Sequence, residues 1–207
     1  MAAFERSVFI NCPFDAEFAP ILQAILFCVV VLGFEPRLAT ESGDSGQIRL
    51  DKIKGLIEAS KYSIHDLSRC QARKVGEIFR LNMPFELGID WGCRQYFGHG
   101  RDTKRFLILE EKPYRIKAAL SDISGCDIET HDGRYDKAMT KVRNWLRQET
   151  GVAAEGPAKL NTDYATFQGW DYGRKLVAGY SEEDIGGTPT FELLEGMKEW
   201  LALGKPI

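Results

Sequence analysis

The sequence predicts a single α/β domain built on a mainly parallel sheet, followed by a helical C-terminal extension. Apolar runs of about five residues alternate with helical stretches up to residue 150, which is typical of βαβ units. The 207 residues can bury one substantial core but are too few for two ordinary domains and a linker. We therefore divide the chain into an α/β domain, residues 1–150, and an extension, residues 151–207.

The predicted strands are short, largely apolar runs, and most of the predicted helices have a start or stop signal. The predicted strands are Ser7–Asn11, Phe34–Ala39, Tyr62–Asp66, Arg105–Leu109 and Cys126–Thr130. The predicted helices are Ala16–Leu32, Ile48–Ala59, one opened by Asn82 and Pro84, Tyr114–Ile123 and Tyr135–Gln148. A polar loop rich in Arg and Lys, Ser68–Arg80, precedes the third of these helices.

The extension begins with a stretch rich in Gly, Ala and Pro, residues 151–163, which we interpret as a linker. Aromatic residues then return, and a last helix is predicted to start at Thr188-Pro189 and to stop at Gly204. Because these aromatic side chains need burial, we expect the extension to pack on the domain or on a second subunit.

Composition argues against several classes of protein. With 27 Lys and Arg against 30 Asp and Glu, the formal charge of -3 provides no field to attract nucleic acid. Five scattered cysteines without a CxxC pair, and 3 histidines, predict free thiols in a reducing cytoplasm rather than a metal site. The N-terminal segment lacks the pattern of a secretory signal, and the apolar run Ile21–Leu32 is too short to cross a bilayer. We expect no membrane, metal or nucleic-acid partner.

Polar residues that follow strands are candidate ligand contacts, because ligands of open parallel sheets bind beyond the carboxyl ends of the strands. Three segments meet this condition: Val8–Asp15, Tyr62–Arg69 and Asn82–Gly88. Their candidate site residues are Asn11, Pro13, Phe14, His65, Asp66, Asn82, Phe85 and Glu86.

Asp66 and Glu86 are expected to face one crevice, because the connection between them returns to the same edge of the sheet. Cleavage of an N-glycosidic bond passes through an oxocarbenium-like centre, which a carboxylate stabilises or captures while a second polar group holds the sugar hydroxyls. We expect Glu86 to take the first task and Asp66 the second. A first-turn position would also favour the ionised form of Glu86 through the helix dipole.

Taken in order, the segments resemble the nucleoside 2-deoxyribosyltransferase-like and TIR-like superfamily. The resemblance lies in Asn11–Phe14, in Asp66–Leu67 and in Phe85-Glu86-Leu87-Gly88, and it spans residues 7–110. It implies a flavodoxin-like three-layer α/β/α fold, self-association, and Glu86 acting on the anomeric carbon of NAD, a nucleotide or a nucleoside as substrate, with no separate cofactor. The chain departs from the family pattern at Leu81–Pro84, where the transferases often carry an acidic-Gly-Thr lead-in, and it lacks the serine-rich first-strand end of many TIR domains.

The candidates also have structural alternatives. Glu86 can be an exposed helix carboxylate, and Asp66 a turn or cap residue. His65 can be a structural hydrogen-bonding residue, and Phe14 and Phe85 can belong to the core instead of stacking on a base.

The glycine-rich loop Ser42–Gly46, with Asp44 and Ser45, can present backbone N–H groups to a phosphate at the start of the next helix. Alternatively, Ser45 caps that helix. Three arginines are either phosphate partners or solvated charges, namely Arg37, Arg49 and Arg69.

These observations predict an enzyme that cleaves the N-glycosidic bond of NAD or a related nucleotide, in the manner of the TIR-like glycohydrolases of bacterial antiphage defence. A nucleoside 2-deoxyribosyltransferase, which would pass the sugar to a second base, is one alternative. A domain that senses a nucleotide or mediates assembly without turnover is an alternative of a different class.

Overall fold

The computed structural model describes residues 3–41, 43–70, 72, 75–76 and 80–207. Its strands are β1 Ser7–Asn11, β2 Glu35–Arg37, β3 Tyr62–Asp66, β4 Arg105–Glu110 and β5 Ile128–Thr130. All neighbouring strands are parallel, and their order in the sheet is β2-β1-β3-β4-β5. This is the strand order of flavodoxin-like doubly wound sheets, so the predicted fold class is confirmed.

Eight α-helices follow or connect the strands within the described residues. They are α1 Ala19–Val31, α2 Arg49–Glu58, α3 Asn82–Tyr96, α4 Arg115–Ala119, α5 Tyr135–Thr150, α6 Pro157–Val177, α7 Glu182–Gly186 and α8 Thr190–Ala202. Among the described helices, none combines the length and the apolar character that crossing a membrane requires.

The two faces of the sheet carry different helices, and the alternation of side chains along β1 and β3 assigns each residue to a face. Val8, Ile10 and Ile64 belong to the main core, which includes the buried residues of α1 and α5. Phe9 packs instead with buried residues of α2 and with Cys93 of α3. Residues that share the parity of Ile64 along β3 therefore face α1 and α5, and the others face α2 and α3.

The two central strands β1 and β3 have the predicted bounds, whereas the edge strands β2 and β5 are shorter than predicted. β2 pairs with β1 and contains Pro36, whose missing N–H is tolerated at a sheet edge. The N–H of Cys126 donates to the carbonyl of Ile123, so Cys126 belongs to the preceding turn and not to β5. The helix predicted over Tyr114–Ile123 is divided into α4 and a 3-10 turn.

Helix α1 is apolar on all sides and lies buried between the sheet and other helices, as such helices do. Its Phe27 ring is 5.5 Å from the ring of Phe167 in α6 and 5.7 Å from that of Trp200 in α8. Three aromatic residues of the extension, Tyr164, Phe167 and Trp200, thus belong to the main core.

The linker predicted for residues 151–163 is wrong over its second half. Helix α5 ends at Thr150 and is followed by Gly151, which has a φ of 69°, and α6 already begins at Pro157. Proline suits the first turn of a helix, and the buried side chains of Leu160 and Tyr164 fix this turn against the core. Composition alone suggested a linker because apolar contacts with α1 are not visible in the local sequence.

Candidate functional site

A cavity of about 470 Å³ opens at the carboxyl end of β1. Its walls are the β1–α1 turn, Asn11–Phe14, the first residue of α2, Arg49, and the start of α3 with the residues before it. The last group comprises Arg80–Met83 and Glu86. The cavity therefore lies at the switch point between β1 and β3, where doubly wound sheets bind ligands, and its size suits a small molecule.

Glu86 is the most unusual ionisable group in the cavity wall. It is the fifth residue of α3 and its side chain is buried, with 7% of the residue exposed. Burial raises the pKa of Glu86 to about 7, although the nearby Arg49 charge acts in the opposite direction. The first turn of α3 contains no acidic residue, so the expectation that the helix dipole keeps Glu86 ionised is wrong.

Asn11 reaches the same cavity from the end of β1 and is almost completely buried. Its Nδ2 donates to the backbone carbonyl of Met83 at 2.8 Å and lies 3.0 Å from Nδ1 of His65. His65 Nε2 in turn lies 3.1 Å from Oδ2 of Asp90. The candidate Asn11 is thus held by α3 and by β3 at once.

His65 is fully buried, and its two ring nitrogens contact Asn11 and Asp90. It does not line the cavity, which corrects its expected role as a substrate contact. Asp90 and its ion-pair partner Lys104 were not identified from the sequence. A histidine at a strand interior implies buried hydrogen-bond partners, but the sequence does not show which residues supply them.

Asp66 lies on the opposite face of the sheet from Glu86. It shares the parity of Ile64 along β3 and therefore faces α1 and α5. Its Oδ2 is 3.0 Å from Nε2 of His131, and its Oδ1 accepts from the N–H of Ser68 at 3.0 Å. Asp66 is fully buried and does not line the cavity, so the expected carboxylate pair is not formed.

Asp66, His131 and Ser68 are the residue types of a Ser-His-Asp catalytic triad, but their hydrogen bonds differ from those of such a triad. The N–H of Gly133 donates to Nδ1 of His131 at 3.1 Å, so the ring proton of neutral His131 sits on Nε2. Both Asp66 Oδ2 and Ser68 Oγ lie near that same nitrogen, at 3.0 and 3.1 Å. His131 therefore has no lone pair directed at Ser68 and cannot take its proton as a general base.

The glycine-rich loop lies away from the cavity wall. Asp44 and Ser45 are exposed, and Asp44 Oδ1 accepts from the N–H of Gly46 at 2.9 Å. Helix α2 starts at Arg49 without a side-chain cap, so Ser45 does not cap it. Ser42, the remaining residue of the predicted loop, lies outside the described residues, as do several positions of the predicted polar loop between residues 68 and 80.

The aromatic and basic candidates separate into two groups. Phe14 lines the cavity and is half exposed, whereas Phe85 is exposed and does not line it. Arg69 pairs with Asp15, and Arg37 pairs with Glu41, which leaves Arg49 as the predicted phosphate partner that reaches the cavity. Arg80, which was not singled out from the sequence, also lines the cavity and pairs with Asp15 at 2.9 Å.

Two properties of the surroundings bear on chemistry. Cys12 is fully buried in the cavity wall, and burial, followed by the charges of Asp66 and Glu86, raises the pKa of its thiol far above the usual range. Among the side chains of the described ranges, no group of three His, Cys, Asp or Glu residues is arranged to hold a metal ion. Of the side chains that line the cavity, that of Glu86 supplies a carboxyl group.

No family model matches the chain, and no curated protein matches it either. Among solved structures, the chain is similar to a diflavin flavoprotein A3 from Nostoc sp., with 14% sequence identity and a TM-score of 0.40. The alignment covers 72% of this chain and 97% of the flavoprotein chain. The likeness concerns the backbone trace, and the fold class given above follows from the strand order of the sheet itself.

Proposed function

We propose that the protein is an enzyme that cleaves the N-glycosidic bond of NAD or a related nucleotide, with Glu86 as the catalytic carboxyl group. The observation that carries the proposal is the position of Glu86, a buried carboxyl group with a pKa raised to about 7, in a cavity at the strand ends. A strongly shifted pKa in a cleft is characteristic of functional sites. The order of sequence segments that resembles the deoxyribosyltransferase-like and TIR-like superfamily supports the same residue.

The chemistry follows from the two states of Glu86. When the C1′–N bond breaks, its electron pair stays on the base and positive charge develops at C1′. Ionised Glu86 stabilises this charge or forms a bond to C1′. Water then attacks C1′, breaking the bond to Glu86 where one has formed, and gives its hydroxyl group to the sugar and its proton to the solvent. A pKa near 7 means that both states are populated at neutral pH, and a cationic nicotinamide ring in the cavity would favour the ionised state.

Other residues of the cavity suit a nucleotide. Arg49 and Arg80 bring guanidinium groups that can bind phosphate oxygens, and Phe14 offers a half-exposed ring on which a base can stack. Asp66 contributes differently from what was expected, because its contacts with His131 and Ser68 stabilise the fold behind the cavity.

The decisive experiment is product analysis by chromatography after incubation with NAD and a panel of nucleotides. We expect the wild-type protein to release nicotinamide or a free base and Glu86→Gln to release none. The matched control is Glu195→Gln, the same change at an exposed position of α8. Equal product release by wild type and a folded Glu86→Gln variant would exclude Glu86 as the catalytic group.

The same incubation separates the alternatives. A 2-deoxyribosyltransferase would form a new nucleoside when a deoxynucleoside and a second free base are supplied together. A sensing or assembly domain would bind nucleotide without product, and its biological output would survive Glu86→Gln. A role in antiphage defence and self-association form part of the proposal and rest on the family resemblance. The cytoplasmic location, also part of the proposal, rests on the five scattered cysteines.

A further inference from the structure

Three fully buried charged or polar side chains form a row that leads to Asn11 in the cavity wall: Lys104, Asp90 and His65. Lys104 Nζ donates to the carbonyl of Ile57 at 2.7 Å and to that of Ser60, and it lies 3.1 Å from Asp90 Oδ1. Asp90 Oδ2 lies 3.1 Å from His65 Nε2. The catalytic step proposed above uses none of these three residues.

The hydrogen-bonding capacities of these groups fix the orientation of the next residue, Asn11. Burial alone would raise the pKa of Asp90, but the His65 hydrogen bond and the Lys104 charge lower it below its usual range, so Asp90 is an ionised acceptor. The Met83 carbonyl requires an N–H of Asn11 Nδ2, and the same Nδ2 faces His65 Nδ1, so Nδ1 accepts and Nε2 carries the ring proton toward Asp90. The Met83 carbonyl is a second acceptor facing the same amide.

Asn11 therefore directs its NH₂ group at two acceptors, which uses both of its N–H bonds. A flipped amide would bring Oδ1 against the lone pairs of His65 Nδ1 and the Met83 oxygen, which is unfavourable. The amide oxygen Oδ1 is the remaining hydrogen-bonding atom of Asn11, a residue that lines the cavity. The orientation of Oδ1, the acceptor atom of Asn11, is thus fixed before any ligand binds.

We propose that Asn11 is a specificity-determining residue whose Oδ1 accepts a hydrogen bond from a sugar hydroxyl of the substrate, and that His65 is its positioning residue. The inference rests on the proposed function and assigns to Asn11 the sugar-holding task expected of Asp66. Asn11 bonds to Met83, which lies three residues before Glu86 in α3 and so on the same helix face. If Glu86 acts at the anomeric carbon, the substrate group that lies next to that carbon and can donate to Asn11 is a ribose hydroxyl.

The test measures binding and does not depend on turnover. Affinities of AMP, 2′-deoxy-AMP and 3′-deoxy-AMP are measured by calorimetry in the Glu86→Gln background, with and without Asn11→Leu. With Asn11 present, we expect at least one deoxy ligand to bind about tenfold more weakly than AMP, because it leaves a desolvated acceptor without a donor. With Asn11→Leu, the three affinities should agree within about twofold, since leucine accepts no hydrogen bond.

Two substitutions of His65 test the positioning role. His65→Asn retains an acceptor near the position of Nδ1, whereas His65→Leu removes it. We expect the AMP preference to persist in His65→Asn and to fall to about threefold in His65→Leu, where Met83 alone orients the amide. Thermal melting identifies variants that fold, and if His65→Leu does not fold, retention of the preference in His65→Asn supports the acceptor role and its loss refutes it.

Three results would overturn the inference: no binding of AMP, equal affinities for the three ligands with Asn11 present, or an unchanged preference in Asn11→Leu. Each is distinct from failure of the proposed function, which is decided by product release in Glu86→Gln. A protein can lose the AMP preference with Asn11→Leu and still show no turnover, in which case the cavity binds nucleotides without cleaving them.

Discussion

Replacing Glu86 by glutamine is expected to abolish catalysis and to stabilise the protein at alkaline pH. Glutamine keeps the size of the side chain and one of its oxygens but carries no charge. Near and above neutral pH, wild-type Glu86 must ionise inside a buried wall of the cavity, and burial opposes that ionisation. The same property that makes Glu86 a candidate catalyst therefore costs folding free energy.

The size of this cost follows from the pKa. A rise from 4.5 to about 7 corresponds to about 3 kcal/mol, at about 1.4 kcal/mol for each tenfold change in proton affinity. Because the cavity opens to solvent, screening reduces the expected value to about 2 kcal/mol. The folded protein binds the Glu86 proton more tightly than the unfolded chain does. Protonated Glu86 therefore contributes its full free energy of folding below pH 4.5, and this contribution is lost as the pH rises to about 7.

The assay is urea denaturation of wild type and Glu86→Gln at pH 4.5 and pH 8. We expect similar free energies of unfolding at pH 4.5 and an advantage of about 2 kcal/mol for Glu86→Gln at pH 8. The Glu195→Gln control should match the wild type at both values, because Glu195 is exposed. An equal free energy of unfolding for wild type and Glu86→Gln at pH 8 would refute the argument that burial raises the Glu86 pKa.

Turnover provides the second measurement on the same variant. Loss of a principal catalytic group commonly lowers turnover by about a thousandfold or more, equivalent to about 4 kcal/mol of transition-state stabilisation. For a substrate with a cationic base, wild-type kcat/KM should rise with pH through about 7 as Glu86 ionises. A kcat/KM that is flat between pH 5.5 and 8 would show that the charge of Glu86 does not take part.

Three further predictions concern the core and the buried thiol. Phe27→Ala should lower the free energy of unfolding by about 3–5 kcal/mol, measured in urea, whereas Ala at the exposed Phe191 should change it by less than about 0.5 kcal/mol. Truncation after Glu155 should prevent folding, measured by circular dichroism, because α6 and α8 cover α1; a cooperative melt of the truncated chain would contradict this. Native Cys12 should react with iodoacetamide far more slowly than the partly exposed Cys126 in peptide mass spectrometry, because burial disfavours the Cys12 thiolate; equal labelling rates would show that Cys12 is accessible.

Central strands were easier to predict than the rest of the fold. β1 and β3 are buried on both faces; β1 contains the continuous apolar run Val8–Ile10, and in β3 the apolar residues Tyr62 and Ile64 alternate with Ser63 and His65. The start of α6 was missed because Pro157 and its neighbours have the composition of a linker. The apolar partners that make this segment helical lie in α1, more than a hundred residues earlier in the chain.

For the candidate site, Asn11 and Glu86, which the sequence singled out, line one cavity. It placed Asp66 wrongly because the argument used the end of β3 without the side-chain alternation within the strand. His65 and Asp66 are adjacent, so they must face opposite sides of the sheet. The packing of the whole strand against both helix layers decides whether His65 or Asp66 points toward α3. The sequence of one strand does not determine this.

The position of α1 has a consequence for synthesis of the chain. Chains leave the ribosome from the N-terminal end, and α1 is complete after residue 31, but its partners Phe167 and Trp200 emerge much later. Until then, Phe27 and the surrounding apolar side chains have no final cover, and transiently exposed apolar surface of this kind is prone to aggregation. Closure of the core, and with it protection of this apolar surface, waits for α8.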